Sequence, residues 1–185
     1  MSPEINTNDS LQALRPRDNQ SLHLTRRCML DSKSTRTCRR AGDLIVNHTG
    51  RKAMVIGEGA NRLEIVATER VPDHLPTPGD TRFTIAVSAE AYSAAGSAWI
   101  DAEALTAFVK ELQSVNATRT GFAEVESMSP SKFKLRISVI DQAGHTEASG
   151  RLSGAGQSLQ FRFAFCPSTL TRIASEFNAV MQATA

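Results

Sequence analysis

The 185-residue sequence predicts an α+β domain, with an antiparallel sheet of about five to six strands, two helices packed on one of its faces, and the element order ββ-α-ββββ-α. Three observations lead there. Apolar residues take every second position over 83–91, 133–139 and 159–165, the period of half-buried strands. Two other segments carry apolar residues at helical spacing. Short glycine-bearing turns separate the last three strand segments, and gaps of that length make hairpins.

The elements follow in chain order. Leu63, Ile65 and Ala67 alternate with Glu64, Val66 and Thr68, which predicts a first strand. Residues 71–80, VPDHLPTPGD, hold three prolines and a glycine and form a loop. Phe83, Ile85, Val87, Ala89 and Ala91 then define the second strand, and the small residues 93–98 around Gly96 predict a bend or bulge before Trp99. Asp101 is placed to cap a helix over 102–115, whose stripe is Leu105, Phe108, Val109, Leu112 and Val115. Strands are expected at 122–128, 133–139, 145–152 and 159–165. The first of these is the faintest, because Glu124 and Glu126 share the face of Phe122. In the third, Ala148 and Gly150 leave room for the flanking Phe rings. A last helix follows Cys166-Pro167, with Ser168 as its cap and Leu170, Ile173, Ala174, Phe177, Val180 and Met181 on one face.

The chain is not uniform. All ten aromatic residues lie after residue 82. Residues 1–52 carry ten Lys+Arg against five Asp+Glu, a net +5, whereas residues 53–185 net −3, and the whole chain nets +2. Residues 1–53 have too little apolar surface to offset the entropy of ordering, so they are expected to be a basic, disordered tail ahead of a single domain over 54–185. An over-extended start, with Met29 or Met54 as the initiator, would produce the same asymmetry. No run of 18 apolar residues occurs, and the first residues lack the apolar stretch of a secretory signal. Three cysteines without a CxxC pair read as reduced thiols in a cytoplasmic protein.

Motifs that carry chemistry are absent. The sequence has no GxxxxGK[ST], HExxH or GxSxG, and no cysteine–histidine spacing that would hold zinc. No cofactor or metal is expected, and no catalytic residue. His145 reads as a residue capping a turn at a strand start. Glu124 and Glu126, two apart on one strand face, form with Asp101 and Glu103 an acidic surface able to dock a basic partner. The basic tail lacks aromatics for base stacking, which argues against nucleic acid.

One set of motifs adds a family resemblance. Trp99-Ile100-Asp101 enters the helix that runs through Leu105, Phe108 and Leu112. Ser127-Met128-Ser129-Pro130 leads to Phe133-Lys134-Leu135, and Gly144-His145 and Gly150 precede the Phe-rich strand and the Leu170, Ile173, Phe177 helix. In this order and spacing, residues 61–183 resemble the small bacterial immunity proteins of the WapI type. The resemblance implies a non-enzymatic cytoplasmic protein that binds a cognate, contact-delivered toxin domain and neutralises it by occlusion. In the namesake system that toxin is a tRNA-cleaving nuclease. The alternative is a structural or regulatory interaction module of the same fold with no toxin partner.

Overall fold

A computed structural model describes residues 53–182 of the chain. The disordered tail expected over residues 1–53 lies outside the described residues except for Ala53, which is buried.

The first half of the domain is a four-stranded antiparallel meander, β1 (Met54–Glu58), β2 (Asn61–Arg70), β3 (Thr81–Ala89) and β4 (Tyr92–Ile100), followed by α1 (Ala102–Thr118). The second half repeats the plan, with β5 (Phe122–Glu126), β6 (Phe133–Val139), β7 (Thr146–Gly154), β8 (Gln157–Phe165) and α2 (Thr169–Gln182). The α+β class and the antiparallel pairing agree with the sequence pattern, but the single sheet of five to six strands does not. Among the described residues there are two sheets of four strands, and the observed order is ββββ-α-ββββ-α. The difference comes from two strands that the pattern hides. β1 is five residues long and includes a glycine, and β4 occupies the segment expected to bend. The inward positions of β4 are Ala94, Gly96 and Ala98, too small to give a clear period-two signal.

Both sheets bury one face in a shared core. From the first come Ile56, Leu63, Ile65, Phe83, Ile85 and Val87, and from the second Leu135, Ile137, Leu152, Phe161, Phe163 and Phe165. The two meet where β1 and β3 approach β8 and where β4 approaches β7. There Leu152 Cδ1 lies 3.4 Å from where a Cβ on Gly96 would sit. α1 packs against β5, β6 and α2, and α2 packs against β1. The helix–sheet junction is aromatic. The Phe177 ring on α2 stands edge to face on Phe108 of α1, centroids 5.1 Å apart, and lies 6.4 Å from Phe83 of β3. Burying rings of this size contributes about 1.5–3 kcal/mol each.

Local chemistry sets the element ends. Asp101 Oδ1 accepts the Ala104 N–H at 2.7 Å, as the sequence predicts for the α1 cap. A second carboxylate joins it, because buried Asp80 accepts the Ala102 N–H at 3.0 Å. α1 runs three residues beyond the expected end and stops where Arg119 turns left-handed, its N–H bonded to the Val115 carbonyl. Ala155 and Gly156 both take positive φ in the β7–β8 turn, the mirror-image geometry that suits a two-residue hairpin. In β7, a Cβ on Gly150 would lie 2.1 Å from the Lys134 carbonyl oxygen and 2.8 Å from the Phe161 ring. The small residues of that strand do accommodate the Phe-rich strand beside them.

Candidate functional site

The outer face of the second sheet carries two of the four acidic residues the sequence singles out, Glu124 and Glu126. Strand alternation sends Phe122, Glu124 and Glu126 of β5 outward, because Ala123 and Val125 between them are buried. Register then fixes their neighbours. Glu124 pairs with Arg136, which pairs with Ser149, which pairs with Arg162. One step along, Glu126, Lys134, Arg151 and Gln160 form a parallel row, and Phe122, Ser138, Glu147 and Ala164 form a third.

The charges in these rows are interlocked. Lys134 Nζ lies 2.7 Å from Glu124 Oε1, and Arg136 Nη1 lies 3.7 Å from Glu124 Oε2. The Arg136 guanidinium covers the Phe122 ring at 3.6 Å from its centroid. Arg162 Nε is 3.4 Å from Glu147 Oε1. Glu126 accepts the Ser131 N–H at 3.4 Å. Exposed pairs of this kind contribute roughly 0.2–1 kcal/mol each, so their main effect is to hold the side chains in a fixed pattern. The face carries Lys134, Arg136, Arg151 and Arg162 against Glu124, Glu126 and Glu147, which makes it mixed rather than acidic. Arg151 Nε is buried and makes no hydrogen bond.

The four acidic residues expected to form one surface occupy two places. Glu124 and Glu126 share the face of β5. Asp101 and Glu103 sit at the start of α1, where Asp101 is committed to capping and Glu103 is exposed in the first turn. No hydrogen bond or ion pair joins the two groups. Sequence reasoning placed Phe122 with Glu124 and Glu126 but missed Arg136, Arg151, Arg162 and Glu147 as members of the face. Alternation along β6 turns Lys134 and Arg136 outward, but only the register shows which carboxylate each cation meets.

Other candidate chemistry is sparse. Asp141 accepts the backbone N–H of His145 at 3.0 Å and pairs with its Nδ1, so His145 does fasten the β6–β7 turn. Those two hydrogen bonds, the side-chain one first, hold the Asp141 carboxyl below its ordinary value of 3.8. Both residues are well exposed, and among the described residues no third group completes a catalytic set. Among the described residues no three His, Cys, Asp or Glu side chains converge as a metal site. The Cys166 sulfur lies 3.1 Å from the Ser168 hydroxyl oxygen just ahead of α2. A shallow cleft of about 490 Å³ near the β7–β8 turn, lined in part by Ser131, Lys132, Ser153 and Gln157, opens broadly to solvent. Among the described residues no helix is long and apolar enough to cross a membrane.

No family model and no curated protein matches this sequence. Several solved structures are distantly similar. The MRP1/MRP2 structures from Trypanosoma bruciei align with 71% of this chain and 84% of theirs, at 9% identity and a TM-score of 0.43. WHY1 from Arabidopsis thaliana aligns with 70% of this chain and 82% of its own, at 14% identity and a TM-score of 0.42. The plant transcriptional regulator PBF-2 aligns with 70% and 87%, at 14% identity and a TM-score of 0.40. Likenesses this distant assign no function.

Proposed function

We infer that this chain is a non-enzymatic binding protein whose working surface is the outer face of β5–β8. The partner we assign to it is a toxin domain, which the chain neutralises by occlusion in the bacterial cytoplasm. The toxin part of this reading rests on the resemblance of residues 61–183 to WapI-type immunity proteins. The choice of surface rests on one observation, the interlocked rows of Glu124, Glu126, Lys134, Arg136, Glu147 and Arg162 on a rigid sheet. A fixed pattern of both signs suits recognition of a complementary protein surface, because matching charges steer encounter and mismatched ones exclude wrong partners. Asp101 and Glu103 lie outside this surface in the proposal.

The test is co-expression with the cognate toxin domain in a growth-rescue assay, alongside binding of the purified pair by calorimetry. The chain should restore growth and bind with a stoichiometric endpoint. Arg136→Glu with Arg162→Glu should weaken binding by about tenfold or more while leaving the thermal transition within a few degrees. No rescue and no binding would remove the immunity reading. Rescue that survives both reversals would move the interface to another face.

A further inference from the structure

We propose that the chain pairs with a second copy of itself through the edge of β4, in antiparallel register centred on Ala95, so that one sheet runs continuously across both copies. Strand edges expose unpaired N–H and C=O groups, and proteins that stay single usually guard them with charge, a bulge or a covering side chain. Among the described residues, three of the four sheet edges are guarded. Arg172 of α2 donates to the Val55 carbonyl on the edge of β1 at 2.6 Å. Glu111 of α1 accepts the Glu124 N–H on the edge of β5 at 3.1 Å. β8 carries Arg162 on its edge, its side chain 76% exposed.

β4 supplies no guard of its own; the one charge that reaches it is Arg82 of β3, whose Nη2 donates to the Ser97 hydroxyl at 3.4 Å and leaves the outward backbone groups open. The β4 sequence, YSAAGSAWI, holds no charge and no proline over nine residues. The Trp99 carbonyl accepts the Met128 N–H at 2.9 Å, which shows that the odd-numbered residues of β4 aim their backbone groups away from β3. That bond also closes the edge at Trp99. The free stretch is therefore Ser93, Ala95 and Ser97, and Ser93 and Ala95 are exposed.

This stretch is symmetric about Ala95, and that symmetry selects the occupant. When two copies meet about a two-fold axis, Ser93 faces Ser97 of the other copy and Ala95 faces Ala95. Small uncharged side chains then oppose one another on both faces with no like-charge clash. Tyr92, a large side chain left 61% exposed at the start of the strand, comes to lie beside Ala98 of the second copy.

Sedimentation equilibrium of the full chain tests the pairing. The wild type should dimerise with concentration. Ser93→Lys with Ser97→Lys sets lysine against lysine in this register and should raise the dimer dissociation constant by about tenfold or more. Ser93→Lys with Ser97→Glu sets opposite charges together and should restore the dimer. Ala95→Pro removes an outward N–H that β3 does not use, so it should give a folded monomer by circular dichroism. A wild type that stays monomeric at several hundred micromolar overturns the proposal, as does a dimer that tolerates the double lysine variant. Failure of the Lys/Glu pair to restore association overturns the register.

Discussion

Asp80 Oδ1 accepts the Ala102 N–H at 3.0 Å, so the residue that closes the proline-rich loop also caps the first helix. With Asp101 bonded to Ala104, two carboxylates share the positive end of α1. Asp80→Ala and Asp101→Ala should each lower stability by about 0.5–2 kcal/mol in urea unfolding. The Asp80 loss should be the larger, because that carboxylate is buried and its removal leaves the half-buried Ala102 N–H without a partner.

Gly150 and Gly96 predict opposite responses to the same methyl group. A Cβ at Gly150 meets the Lys134 carbonyl at 2.1 Å, and backbone cannot move aside cheaply. Gly150→Ala should cost about 1–3 kcal/mol or more. At Gly96 the nearest atom is Leu152 Cδ1 at 3.4 Å, the end of a flexible side chain, so Gly96→Ala should leave the urea midpoint nearly unchanged. Equal effects at the two sites would refute the β6–β7 and β4–β7 packing described above.

Phe177 joins both helices to the first sheet, and its loss should be felt across the whole domain. Phe177→Ala should cost about 3–5 kcal/mol, read as a single cooperative transition moved to lower temperature. Phe163→Asp places a charge in the core under Gly57 and should abolish the cooperative transition altogether. A normal melt for that variant would contradict the burial of the β8 row.

The Asp141 carboxyl, held low by His145, gives a pH signature with a definite sign. A depressed native value favours the folded state above the ordinary aspartate range. That contribution is present in full above roughly pH 4 and is lost as pH falls through the native value. Carboxyl carbon titration by NMR should put the Asp141 midpoint below 3.8. In His145→Ala the midpoint should return toward that value, and a midpoint indifferent to His145 would show that the pair does not form in solution.

What could be read from sequence divides along physical lines. β3, β6 and β8 bury large side chains at alternate positions, so each announces itself locally. α1 and α2 do the same at helical spacing. β4 buries Ala94, Gly96 and Ala98 instead, and a strand whose inner face is nearly flat looks like a bend. The number of sheets follows from which strands neighbour one another, and periodicity is silent on that. The site shows the same limit. Glu124 and Glu126 were rightly placed on one face, but their charge is set by Lys134 and Arg136 from another strand, which pair with them only through the register of β5 on β6.

Every strand in both sheets pairs with its sequence neighbour, and each meander ends in its own helix. Hydrogen bonding within a sheet therefore closes only short loops, at small entropic cost. The long closure falls to side chains, when Phe177 near the end of the described chain returns to Phe83 near its beginning. The two halves can thus organise separately and in either order, and the aromatic junction joins them into one cooperative unit. A break in the backbone at the Arg119–Gly121 turn would leave two fragments, each with a complete sheet and half of the core. Such fragments would be expected to find one another again through Phe83, Phe108 and Phe177.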